Sequence, residues 1–185
     1  MNRPAVRFDA MLSHLDDLFH EASTTVELTK KEILLAYLVI KLHDQWNFRS
    51  RQVVQISYGK SQKKMIEILR YHWSTKKYMN AGWEPDWHIP NNAIRAGRLL
   101  NIPNLSQVQN ALGAVTYIDD IRWTRNAIVH NIPTSFSRFH SMTLSKYFLS
   151  NIKPSFLPLE MNPITGNSVY EDWCTDLSNA LHIAL

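Results

Sequence analysis

Apolar residues recur along this chain at spacings of three and four. No stretch alternates with the period of two that a half-buried strand needs. Phe8, Met11, Leu12, Leu15, Leu18 and Phe19 lay one apolar stripe along a helix near residues 9–22. A chain patterned this way folds by packing helices. Its 5 glycines leave little material for a many-turned β architecture. The predicted class is all-α: a helical bundle with a long central helix and short connections, in a single domain over 1–185.

The element boundaries are readable in part. Thr29 followed by Glu32 is a capping-box pattern just before the apolar run Ile33–Ile40. A helix starting there reaches Tyr58, with Gly59 as its stop, and spans about 43 Å at 1.5 Å per residue. The apolar run is far short of the roughly 20 residues of a membrane span and is bracketed by Lys30, Lys31 and Lys41, which predicts a buried helix. Further helices are expected over 61–72, from Pro90 through Leu100, over 106–114, over 117–131 with Pro133 as the stop, over 136–149 and over 169–185. Segments 73–90 and 150–167 read as loops.

Composition narrows the function classes. Hydrophobic residues are 45% and charged residues 19%, enough for a core without staples. The single cysteine, Cys174, excludes a disulfide framework and a cysteine-based zinc site, and its place beside Trp173 suits a buried small hydrophobe. The net charge of +4 is compatible with nucleic acid without demanding it. Residues 1–9 hold no apolar stretch of the kind a secretion signal needs, so the expectation is a soluble, cytoplasmic chain.

No two of the 8 histidines stand four apart, and no Walker loop or nucleophile elbow occurs, so the expectation is no metal and no cofactor. One segment remains, running from Asp119 through Arg122, Arg125 and His130 to Pro133. Asn126 and His130, four apart, share a helix face, whereas Arg125 sits about 140° around from His130. A long arginine can bend that far, or it can serve a site on a seam between helices. His130 falls in the last turn, where the macrodipole favours an imidazolium. An arginine, a histidine and a carboxamide together suit a phosphodiester. The guanidinium can grip non-bridging oxygens, and the imidazole can move a proton. A plain helix terminus whose cations complement the dipole has the same sequence.

Arg125-Asn126-Ala127-Ile128-Val129-His130 resembles the signature of the HEPN superfamily (higher eukaryotes and prokaryotes nucleotide-binding). That signature is Arg, four to six residues, then His, often with a polar residue directly after the Arg, late in an all-α bundle. The stretches Leu42–Arg49 and Trp87–Leu105 also look like members, and the resemblance covers about residues 30–140. It implies a metal-independent endoribonuclease of the toxin, abortive-infection or antiphage type. Such a protein works as a homodimer with two motif copies lining one cleft, and is associated with an antitoxin or defence partner. One subgroup carries a modifiable Tyr two residues after the His. Here that position is Ile132, so the resemblance does not extend to that route of control.

The expected catalytic set is Arg125, His130 and Asn126. Arg122, Arg49 and Arg51 are candidates for an RNA path, and each also reads as a solvated face residue. Asp119 and Asp120 are either orienting partners for Arg122 and Arg125 or an exposed acidic pair. Trp73, Tyr78, Trp83 and Trp87, interleaved with Lys76 and Lys77, have the composition of a base-stacking surface or of a lid packed on the bundle. Two further classes stay open: a catalytically silent RNA- or nucleotide-binding module within a larger assembly, and a scaffold bundle.

Overall fold

The structure is a computed structural model that describes residues 3–74, 78–80 and 82–184. Among these the chain is all-α. The α-helices are α1 (Arg3–Thr24), α2 (Leu28–Tyr58), α3 (Gln62–His72), α4 (Pro90–Leu99), α5 (Leu105–Gly113), α6 (Ile118–His130), α7 (Pro133–Tyr147) and α8 (Val169–Ala184). A 3₁₀ helix covers Pro154–Leu159, and the only extended pairing among the described residues is an isolated bridge between Met161 and Ser168. No helix among the described residues is long and apolar enough to cross a membrane.

Several stops and starts follow their expected chemistry. Gly59 ends α2 at φ +72°, its N–H donating to the carbonyls of Gln55 and Ile56. Ser61 caps α3 by accepting from the N–H of Lys64. Pro133 acts twice: it ends α6, and it opens α7 in the first-turn position where its missing N–H costs nothing. The capping-box expectation at Thr29 does not hold. Helix α2 already runs from Leu28, and the Lys31 N–H donates to the Glu27 carbonyl, so Thr29 lies inside the first turn. The 150–167 segment is more ordered than a loop: Pro154, Leu157 and Pro158 are buried in its 3₁₀ turn.

The chain divides into two compact units. One comprises Met1–Phe8, Gln45–Val115 and Ser178–Leu185; the other comprises Asp9–Asp44 and Thr116–Leu177. In the first, Trp46, Val53, Val54, Met65, Leu69, Val108 and Leu112 are fully buried. Helices α4 and α5 pack closely because Gly97 has no side chain: a Cβ there would stand 2.8 Å from Cδ1 of Ile102. The side-chain amides of Gln107 and Asn104 donate to the carbonyls of Ile183 and Ala184, covering the last turn of α8.

In the second unit, Leu15, Leu35, Leu38, Leu42, Ile121, Phe139, Trp173 and Leu177 form the core. Two carboxylates fix the position of α6 within it. Asp176 accepts from the N–H groups of Thr116 (2.8 Å) and Tyr117 (2.9 Å), supplying from α8 the cap that the start of α6 lacks. Asp120, fully buried in the first turn of α6, accepts from Lys146 Nζ at 2.7 and 3.0 Å and from the Tyr147 hydroxyl at 2.8 Å. That cluster ties α6 to the far end of α7.

Candidate active site

Helix α6 delivers the arginine, the carboxamide and the histidine together. Arg125 Nη1 lies 3.2 Å from Nε2 of His130 and 3.2 Å from Oδ1 of Asn126. The long guanidinium stem therefore bends across the offset expected from helix geometry, and the cluster closes within one chain. A guanidinium only donates, so this contact is a hydrogen bond in the tautomer whose Nε2 carries no proton.

His130 is the last residue of α6 and is exposed. The chain turns away immediately: Asn131 adopts φ 46° in the left-handed region, a conformation that asparagine tolerates better than most residues. Arg125 has no carboxylate within ion-pair distance among the described residues, so its charge is not neutralised internally. Arg122, one turn earlier, is paired with Asp119 at 2.9 Å.

The acidic pair thus splits into two roles. Asp119 is exposed and orients Arg122. Asp120 is an interior partner of Lys146 and Tyr147 and makes an ion pair with neither arginine. Burial pushes the Asp120 carboxyl up against the opposing pull of Lys146, and it pushes the Tyr147 hydroxyl up as well.

His43, which stands in no motif spacing with Arg125 or His130, feels the charges of both Arg125 and Arg122. It lies on α2, buried, with Nδ1 3.4 Å from Oδ1 of Asp44. Burial lowers its pKa below the ordinary 6.5; Asp44 opposes that shift, and the Arg125 and Arg122 charges add to it. The fold therefore favours the neutral form of His43. Because its folded pKa is depressed, the unfolded chain takes up this proton first as pH falls below 6.5. Stability contributed by neutral His43 is present above that pH and is lost as pH drops toward the folded value. Replacing His43 with Gln is expected to flatten this acid limb in urea-unfolding midpoints measured across pH.

Arg49 and Arg51 belong to the other unit. Arg49 is not a solvated face residue: it is 8% exposed and donates to Gln52 at 2.7 Å. Arg51 donates to Glu84 at 3.3 Å. Both guanidiniums stand near the Phe48 ring, 5.0 and 5.3 Å from its centroid.

The aromatic segment 73–90 is partly packed. Trp87 is buried and donates to Glu84, the Trp73 and Trp83 rings lie 5.2 Å apart, and the Arg95 guanidinium covers Trp73 and donates to its carbonyl. Lys76 and Lys77 lie outside the described residues. Cys174 is buried, its thiol pushed up to about 12, which leaves it inert at neutral pH. No group of three His, Cys, Asp or Glu side chains with metal-site geometry occurs among the described residues.

Fold and site together define an all-α protein with an arginine–carboxamide–histidine cluster at the end of one helix. No family model, curated protein or solved structure matches the chain.

Proposed function

We propose that this protein is a metal-independent endoribonuclease that cuts RNA by internal transesterification. The observation that carries the reading is the contact of Arg125 Nη1 with both His130 Nε2 and Asn126 Oδ1, on an exposed helix end and without a carboxylate to neutralise the arginine. The resemblance of Arg125–His130 to the HEPN signature supports it and adds a role as a toxin or antiphage effector.

A phosphodiester entering this cluster competes for Arg125. Two non-bridging oxygens offer the guanidinium a charge-assisted bidentate grip, stronger than its single bond to a neutral imidazole. As the guanidinium turns to the phosphate, His130 Nε2 is freed to take the proton of the adjacent 2′-OH. The 2′-oxygen forms a bond to phosphorus and the bond to the 5′-oxygen breaks. That oxygen must receive a proton. One neutral His130 cannot supply it in the same step, so a two-fold dimer contributes the protonated His130 of a second copy. Arg125 stabilises the charge that builds on the phosphoryl oxygens, and Asn126 holds the guanidinium in register.

The test is cleavage of single-stranded RNA by the purified protein in excess EDTA across a dilution series. Undiminished cleavage in EDTA is expected, with specific activity falling as the dimer dissociates. Strict dependence on Mg²⁺ would contradict the mechanism, and constant specific activity from a demonstrated monomer would remove the shared site.

A further inference from the structure

Two cavities lie side by side along the groove between α6 and α7. The first, about 290 Å³, is lined by Asn126, Trp123, Ile132, Thr134, Ser135 and Arg138. The second, about 420 Å³, continues past the same Trp123 and Arg138 toward Arg122, with Ser137, Ser141 and Ser145 on its wall. Each is of the size that accepts a small-ligand-sized group such as one nucleotide.

The first cavity opens directly beside the proposed cleavage site, because Asn126 both lines it and accepts from Arg125. Its neighbour repeats one polar face of α7: Ser137, Ser141 and Ser145 are four residues apart and project along one side of the helix. Trp123 and Arg138 form the wall the two cavities share.

The chemistry of this lining is selective. None of the side chains lining the two cavities is acidic. By contrast, the cavity beside Phe136 includes Glu32, and the one beside Tyr71 includes Glu67, and each carboxylate would repel a phosphate chain. Arg138 is exposed and has no ion-pair partner among the described residues, so its charge is available to a ligand. An aromatic ring flanked by arginine and hydroxyl donors is the combination that takes a single nucleic-acid strand. The ring stacks a base whatever its identity, the arginine holds the phosphate, and hydroxyls meet base or ribose edges.

We infer that the α6–α7 groove carries the RNA strand next to the scissile phosphate, with one base on Trp123 and its phosphate on Arg138. The inference rests on the endoribonuclease reading of Arg125 and His130. It goes beyond that reading in setting the direction in which substrate leaves the site and in requiring single-stranded substrate. A duplex base has no free face to lay on Trp123.

The test uses the full chain carrying His130→Ala, which is not expected to cleave, and a fluorescein-labelled uridine heptamer followed by anisotropy over a salt series. Trp123→Leu, which keeps apolar bulk and removes the ring, is expected to weaken binding roughly 5- to 100-fold. Arg138→Ala is expected to weaken it and to reduce the slope of log affinity against log salt by about 0.7, the share of one phosphate contact on a single strand. Ser141→Glu, at an exposed position, adds a like charge to the groove and is expected to weaken binding as well. Lys64→Ala, a matched charge loss elsewhere, should leave affinity unchanged.

Unaltered affinity and salt slope in Arg138→Ala and Ser141→Glu would overturn the groove. So would uridine monophosphate binding as tightly as the heptamer, which would make the cavity a mononucleotide site. The two readings fail separately. A wild-type protein that cleaves RNA while these variants bind normally loses the groove and keeps the enzyme. One that never cleaves, yet binds through Trp123 and Arg138, keeps the groove and loses the enzyme.

Discussion

Replacing His130 with Ala is expected to reduce RNA cleavage by about 10²- to 10⁴-fold, the usual worth of a positioned proton-transfer group. The side chain is exposed at the end of α6 and its one described hydrogen bond is the contact with Arg125. Its removal leaves Arg125 Nη1 still donating to Asn126, and a surface change of this kind alters stability by about 0.5 kcal/mol or less. Arg125→Ala is expected to lose activity on the same scale, because in the proposed mechanism the guanidinium stabilises the charge that builds on the phosphoryl oxygens. Arg125→Lys should rescue little of it. A lysine brings a point charge and cannot make the bidentate grip on two oxygens. The measurement is initial cleavage rate beside the thermal midpoint of the same sample. Full activity in a folded variant would remove the residue from the chemistry. A collapsed midpoint would show instead that the pair holds the helix end together.

Asp120→Ala should show the opposite profile, a large loss of stability with the chemistry retained. The carboxylate is fully buried and receives three hydrogen bonds, two from Lys146 and one from Tyr147. Deleting it leaves the buried Tyr147 hydroxyl without its acceptor and the Lys146 ammonium without its counter-charge. Breaking a buried pair from one side typically costs about 3–5 kcal/mol. Since Lys146 is 40% exposed and can turn to water, the lower end applies here, about 3 kcal/mol. For a chain of this length that is a fall of about 6–12 °C in thermal midpoint. Asp120→Asn keeps an acceptor for Tyr147 and should cost less. Calorimetry on the two variants checks the order, and below the transition both should still cleave RNA. An Asp120→Ala protein as stable as wild type would mean that the α6–α7 tie contributes nothing.

The local parts of this molecule were legible because their causes are local. The three- and four-residue spacing, the glycine at 59, the serine at 61 and the proline at 133 each act on the backbone within a turn or so. The helix limits near them fall within a few residues of expectation. The Thr29 cap was misplaced because Glu27, Thr29, Lys30 and Lys31 crowd the start, and the signature cannot say which residue between Glu27 and Lys31 opens the helix.

The cluster of Arg125 with His130 was only half legible. Helix geometry gives the angle between two Cβ atoms, but not the rotamer that lets a guanidinium close that angle. Nor does sequence separate Asp119 from Asp120. The two are adjacent and chemically alike, and only the packing of α7 decides that one is exposed and the other interior. His43 was missed for a related reason: its coupling to Arg122 and Arg125 joins α2 to α6 across about 80 residues, with no spacing to betray it. Arg49 was misjudged because burial of a charged side chain depends on tertiary packing and breaks the usual rule for arginine.

The most direct test of the proposed chemistry is the structure of the cut ends. A short RNA carrying a single 2′-deoxy residue is compared with its all-ribose parent, and the products are resolved by mass spectrometry. Transesterification through Arg125 and His130 predicts 2′,3′-cyclic phosphate and 5′-hydroxyl ends from the parent, with no cleavage at the phosphate following the deoxy residue. Cleavage at that phosphate, or 5′-phosphate ends formed only with Mg²⁺, would contradict it.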